Sequence, residues 1–137
     1  MARDLAQGIR AHVLEAQGRL DEALHALEAA PREVPFSRRT EWALTEPQER
    51  YLRAEILNRI GRTADALWWY QSIHYLPESV LAGPSHLRQA EMHERLGHRT
   101  QAVEQYRRFI ELWRDCDEEL RPLVTHAERA LLRLGGD

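Results

Sequence analysis

Three stretches of the chain align without a gap: Ala11-His12-Val13-Leu14-Glu15-Ala16-Gln17-Gly18-Arg19-Leu20-Asp21-Glu22-Ala23, Ala54-Glu55-Ile56-Leu57-Asn58-Arg59-Ile60-Gly61-Arg62-Thr63-Ala64-Asp65-Ala66, and Ala90-Glu91-Met92-His93-Glu94-Arg95-Leu96-Gly97-His98-Arg99-Thr100-Gln101-Ala102. Each has Ala, Gly seven residues on, and Ala five further. Four residues beyond the second Ala stands a large side chain, Leu27, Tyr70 or Tyr106, and three later Ala30, Ile73 or Phe109. A glycine tolerates the left-handed backbone that closes a last helical turn, so Gly18, Gly61 and Gly97 each predict a helix end. Small residues on either side of the turn, Ala11 with Ala23, Ala54 with Ala66 and Ala90 with Ala102, let two antiparallel backbones approach closely. The large residues fill the space one turn on.

Composition agrees. Ala, Leu, Glu and Arg make up 71 of the 137 residues, and all are strong helix formers. The 16.0 kDa chain has the length of one domain. With 43% hydrophobic residues, it is expected to fold into an all-α cytoplasmic protein. All nineteen basic residues are arginine, which suggests a GC-rich bacterial genome. A formal net charge of -3 disfavours nucleic acid as a partner. No stretch approaches the length of a membrane helix, and the first residues lack the apolar run of a signal peptide. The lone Cys116 excludes an internal disulfide framework.

The small-Gly-Ala-bulky pattern resembles the tetratricopeptide repeat (TPR) family over roughly residues 2–115. Departures are specific. Gln7 and Arg10, Arg50 and Arg53, and His86 and Gln89 stand where the family places an early Trp and Leu. Only Pro35 and, one residue early, Pro77 match the closing proline. The stretch Tyr106-Arg107-Arg108-Phe109-Ile110-Glu111-Leu112-Trp113-Arg114-Asp115 is also similar to the C-terminal TPR segment of large bacterial signalling proteins, including some Ser/Thr kinases. The resemblance implies a TPR-like α-solenoid in one domain, residues 1–137. It would have three antiparallel helical hairpins, about 3–30, 46–75 and 84–114, and a capping helix about 119–134. That last helix carries Leu120, Leu123, Val124, Ala127, Leu131 and Leu134 at helical spacing. Thr45 and Gln48 read as a capping box for a helix with Pro47 in its first turn. Residues 31–45 read as a loop that Trp42 and Leu44 pin to the surface. On the first helix Leu5, Ile9 and Val13 face inward, or are covered by a second subunit or a preceding domain.

No catalytic constellation emerges. In His93-Glu94-Arg95-Leu96-Gly97-His98 the histidines are five apart, one too many for a zinc-protease helix, and Gly97 interrupts it. His93 stands where Leu14 and Leu57 stand, which predicts a packing role, with His98 a solvated turn residue. No histidine pair has a recognised metal spacing, and Cys116 between two aspartates is the wrong setting for a nucleophile. We expect no enzyme activity, no cofactor and no metal. By resemblance, the first helix of each hairpin lines a concave groove for a partner peptide or helix. That groove would present His12, Glu15, Tyr51, Glu55, Asn58, Arg59, Leu87, Glu91, Glu94 and Arg95. Its glutamates favour a basic or amphipathic partner. The alternative is a regulatory or spacer domain of a larger bacterial signalling protein, with no ligand of its own.

Overall fold

A computed structural model describes the backbone of residues 2–29, 39–73 and 81–135, and the side chains of 6–29, 47–73 and 81–135. Ala30, Pro35, Pro77 and the side chains of Leu5, Trp42 and Leu44 lie outside the described residues. Those described contain seven α-helices, no strand and one 3-10 turn, Glu118–Leu120. The helices are α1 (Ala2–Ala16), α2 (Leu20–Glu28), α3 (Arg39–Arg59), α4 (Thr63–Gln71), α5 (Ala82–Arg95), α6 (Arg99–Leu112) and α7 (Arg121–Arg133). Among them, no helix is long and apolar enough to cross a membrane.

The repeated glycines do what their spacing predicts. Gly18, Gly61 and Gly97 have φ of 74°, 84° and 74°. Each turn closes with the same pair of backbone hydrogen bonds. In the third, Gly97 N–H donates to Glu94 at 3.1 Å and His98 N–H to His93 at 2.8 Å, the two bonds of a Schellman motif. The equivalent donors Arg19 and Arg62 reach Leu14 and Leu57, each at 2.9 Å. The carbonyls of Arg19, Arg62 and His98 then accept the first bond of the next helix, from Ala23, Ala66 and Ala102. All six alanines of the pattern are fully buried, at 0% exposure. Leu27, Tyr70, Tyr106, Ile73 and Phe109 are buried as well.

The chain divides into two compact units, Met1–Trp69 and Tyr70–Asp137. In the first, α1 packs on α2, and α3 meets both. A Cβ at Gly8 on α1 would meet Glu49 Oε1 of α3 at 3.0 Å, so the end of that side chain lies against the glycine. In the second, α5 packs on α6, and α6 on α7. Its core joins Leu87, Ala90, Ala102, Tyr106, Phe109, Val124, Ala127 and Ala130. Trp113 lies against this core, its ring 5.1 Å from that of Phe109. A Cβ at Gly83 would meet Trp113 Nε1 at 2.1 Å, so only glycine leaves room for the indole.

Two expectations need correction. The second hairpin's first helix starts at Arg39, not at Thr45, and Pro47 sits inside it. An interior proline loses one helical hydrogen bond and crowds the preceding turn. Here the residue is buried. The capping-box pattern at Thr45 is therefore not a helix start. On the last helix, Leu120 and Leu123 are 36% and 41% exposed. Leu120 belongs to the 3-10 turn, so it falls out of phase with α7. Leu123 points about 100° from the buried Val124. The buried stripe is Val124, Ala127 and Ala130, with Leu131 and Leu134 at its edge.

Replacing Ala102 by Leu should destabilise the chain by about 1–3 kcal/mol, the usual cost of overpacking. Thermal unfolding followed by circular dichroism at 222 nm checks this, with exposed Arg108→Leu as the reference; an equal midpoint in both would contradict the close contact.

Candidate functional site

The expected groove residues come from the first helices of the hairpins, α1, α3 and α5, and they divide between the two units. In the first unit His12 and Arg59 are exposed, while Glu15, Tyr51, Glu55 and Asn58 are half-buried. Glu15 and Arg59 form an ion pair that ties α1 to α3. It sets these two of the six side by side. Tyr51, Glu55 and Asn58 all carry partners of their own.

In the second unit the outcome is different. Leu87 is 6% exposed and belongs to the core, so it offers nothing to a ligand. Glu91 accepts from Arg88 at 3.0 Å and lies 3.7 Å from His126. Glu94 accepts Arg133 of α7 at 2.6 Å and the Tyr106 hydroxyl at 2.9 Å. Arg95 is exposed. Glu91 and Glu94 therefore hold the second unit together as much as they decorate it. Burial pushes the Glu94 carboxyl upward, but the bonds from Arg133 and Tyr106 outweigh it, and it settles below the usual carboxylate range. Burial and the Glu94 bond both push the Tyr106 phenol up, so it stays protonated.

His93 is 6% exposed, in the register of Leu14 and Leu57, which are 5% and 2% exposed. Its Nδ1 lies 3.3 Å from that of the exposed His98. Burial first, then the neighbouring imidazole, lowers its affinity for a proton. The Schellman turn makes this pair: its longer bond joins residues 93 and 98, whose side chains usually make an apolar contact. Among the described residues, no three His, Cys, Asp or Glu come together as a metal site. Cys116 packs at the edge of the core.

Sequence reasoning missed a set of polar side chains that reach the carbonyls of a preceding helix. Arg53, one residue before Ala54, donates to the Leu27 carbonyl at 2.8 Å. Gln89, one residue before Ala90, is 5% exposed. Its Nε2 lies 3.1 Å from Ser85 Oγ and 3.4 Å from the Tyr70 carbonyl, and Ser85 Oγ donates to that carbonyl at 3.1 Å. Leu27 and Tyr70 are equivalent in the repeat, four residues after the second alanine. The last carbonyls of a helix have no partner within it. Arg53 supplies one to Leu27, and Ser85 and Gln89 add to the bond that the Tyr70 carbonyl takes from Ile73 N–H at 3.2 Å. The signal was present as a departure from pattern at two equivalent positions.

A small cleft of about 110 Å³ lies in the first unit, among Leu24, Arg53, Leu57, Arg62, Trp68 and Trp69. The Arg53 guanidinium sits over the Trp69 ring, 4.4 Å from its centroid. Trp68 is 60% exposed and meets Trp69 edge to face at 4.9 Å. Arg62 pairs with Asp65 at 2.7 Å, and both line the cleft.

The charge on Glu94 should contribute stability at neutral pH. Its folded affinity for a proton is below the unfolded one, so the contribution is complete above the unfolded pKa of about 4.5 and is lost as pH falls further. Glu94→Gln should therefore lower the urea midpoint at pH 7 and leave it nearly equal to wild type near pH 3. A constant gap across that range would contradict the Arg133 pairing.

Compared with known proteins, the chain matches no family model, no curated sequence and no solved structure.

Proposed function

We propose that the chain is a non-catalytic protein-interaction module of the TPR type, which holds a partner peptide or helix on the faces of its first helices. The observation that carries this reading is the turn, made three times from the same two backbone bonds around a left-handed glycine. Such repetition is what an α-solenoid needs, since each unit must present the same edges to its neighbours. In the first unit, α1 and α3 are both first helices, and the Glu15–Arg59 pair and the Glu49 carboxyl beside Gly8 link them. Together they offer His12, Tyr51, Glu55 and Asn58 on rigid helices, which limits the ordering cost of binding.

The partner's chemistry follows from that face. Glu15, Glu91 and Glu94 are each paired with an arginine, so their fields largely cancel. An amphipathic segment suits such a surface better than a strongly basic one. Tyr51 would supply the apolar anchor, and Glu55 would select against acidic side chains.

A library of peptides displayed on phage and selected against the immobilised full chain tests this. Amphipathic sequences with basic residues should be enriched. Tyr51→Ala and Glu55→Arg should each weaken them by about fivefold or more, a loss near 1 kcal/mol. Arg108→Ala, on the exposed side of α6, should change nothing. Enriched peptides indifferent to both α3 substitutions would overturn the assignment of the face, and enrichment of acidic peptides would overturn the polarity.

A further inference from the structure

The three glycine turns share one backbone bond and differ in the side chains at its two ends. Arg19 N–H meets the Leu14 carbonyl and Arg62 N–H that of Leu57, whereas His98 N–H meets that of His93. The third turn alone of the three pairs two side chains that titrate near neutral pH. His93 is as buried as the leucines it replaces. Its ring centroid is 5.5 Å from that of His98, but the two Nδ1 atoms are 3.3 Å apart. The nitrogens are therefore the near edges of both rings and face each other. One can donate to the other while a single proton lies between them. With both rings cationic, each Nδ1 carries a proton of its own. The bond is then lost, and two positive charges are held in contact beside a buried core.

We propose that the facing imidazoles of His93 and His98 form an acid-sensitive latch on the third hairpin, which holds the turn between α5 and α6 shut while one proton lies between them and loosens it when both rings are charged. This goes beyond the proposed binding face, to which neither histidine belongs. The surroundings of His93 favour its neutral form. From α6, Glu104 favours a proton on it, but that carboxylate is shared with Arg108 at 2.5 Å. Beside it on α5, Glu94 is held by Tyr106 of α6 and Arg133 of α7. Against the proton stand burial first and His98 second, and together they prevail. A folded affinity below the unfolded one contributes stability that is complete above the unfolded pKa of about 6.5. That stability is lost as pH falls from there through the folded value. The contribution of Glu94 fails only below about 4.5, so the two effects occupy separate windows.

Amide hydrogen exchange on the full chain, labelled with 15N, reads the three turns separately. The quantity compared is the protection of Arg19, Arg62 and His98 N–H, corrected at each pH for the intrinsic exchange rate. Between pH 7 and pH 5, His98 should lose about tenfold or more in protection relative to Arg19 and Arg62. His93→Leu installs the residue that the other two turns carry, and it should abolish that difference while circular dichroism confirms the fold. Equal losses at all three turns would overturn the proposal, because they would report general acid destabilisation. So would a loss at His98 that persists in folded His93→Leu. Should that variant fail to fold, the contrast among the three wild-type turns decides by itself.

Discussion

A single glycine in the left-handed region, repeated three times, is the constraint on which the rest depends. With φ near 74–84° the chain reverses in two residues, and the second helix begins at once because the residue after the glycine offers its carbonyl. That short reversal forces the helices of a pair together. Small residues suit such an approach, and Ala11, Ala23, Ala54, Ala66, Ala90 and Ala102 are all fully buried. The order of causes runs from backbone dihedral to helix approach to side-chain size. A residue with a Cβ at Gly97 would be strained even though there is open space around it. The cost lies in the backbone conformation, not in the packing.

The hairpins α1–α2 and α5–α6 were legible because their determinants are local. Gly, flanking Ala and a large residue one turn on lie within about twenty residues of one another in each repeat, and each residue type has one dominant structural use. The start of α3 was not. Thr45, Pro47 and Gln48 carry a sound N-terminal signal, yet the helix runs from Arg39 through them. The burial of Pro47 is a tertiary fact, and no reading of neighbours in sequence contains it. The outer face of α7 failed for a related reason. Leu120 looked periodic with Val124 and Ala127, but the 3-10 turn before the helix breaks the phase.

The candidate site was legible in outline and not in its couplings. Placing Tyr51, Glu55 and Asn58 on one helix face needed only the period of 3.6 residues. Seeing that Glu94 belongs to Tyr106 and Arg133 needed α7, thirty-nine residues away for Arg133. Leu87 shows the same limit. Its register equals that of half-buried Tyr51, three residues before the repeat's first alanine. In the second unit that register turns inward and joins the core with Val124 and Ala127. Equivalent positions in a repeat have equivalent backbones, but their exposure depends on what is packed beside them.

That distinction gives the polar residues before each first alanine their meaning. An apolar residue there would pack but offer no donor to a preceding helix end, leaving the Leu27 carbonyl without Arg53 and the Tyr70 carbonyl with only Ile73 N–H and Ser85 Oγ. Arg53 and Gln89 pack less and bond more, and each meets the same carbonyl of the repeat, Leu27 in one unit and Tyr70 in the other. A buried acceptor left alone costs more than a typical hydrogen bond gains. Filling it therefore does more for the specificity of a junction than a further methyl group would. The bond is directional, so it also sets which end of a helix lies where, something apolar contact does poorly.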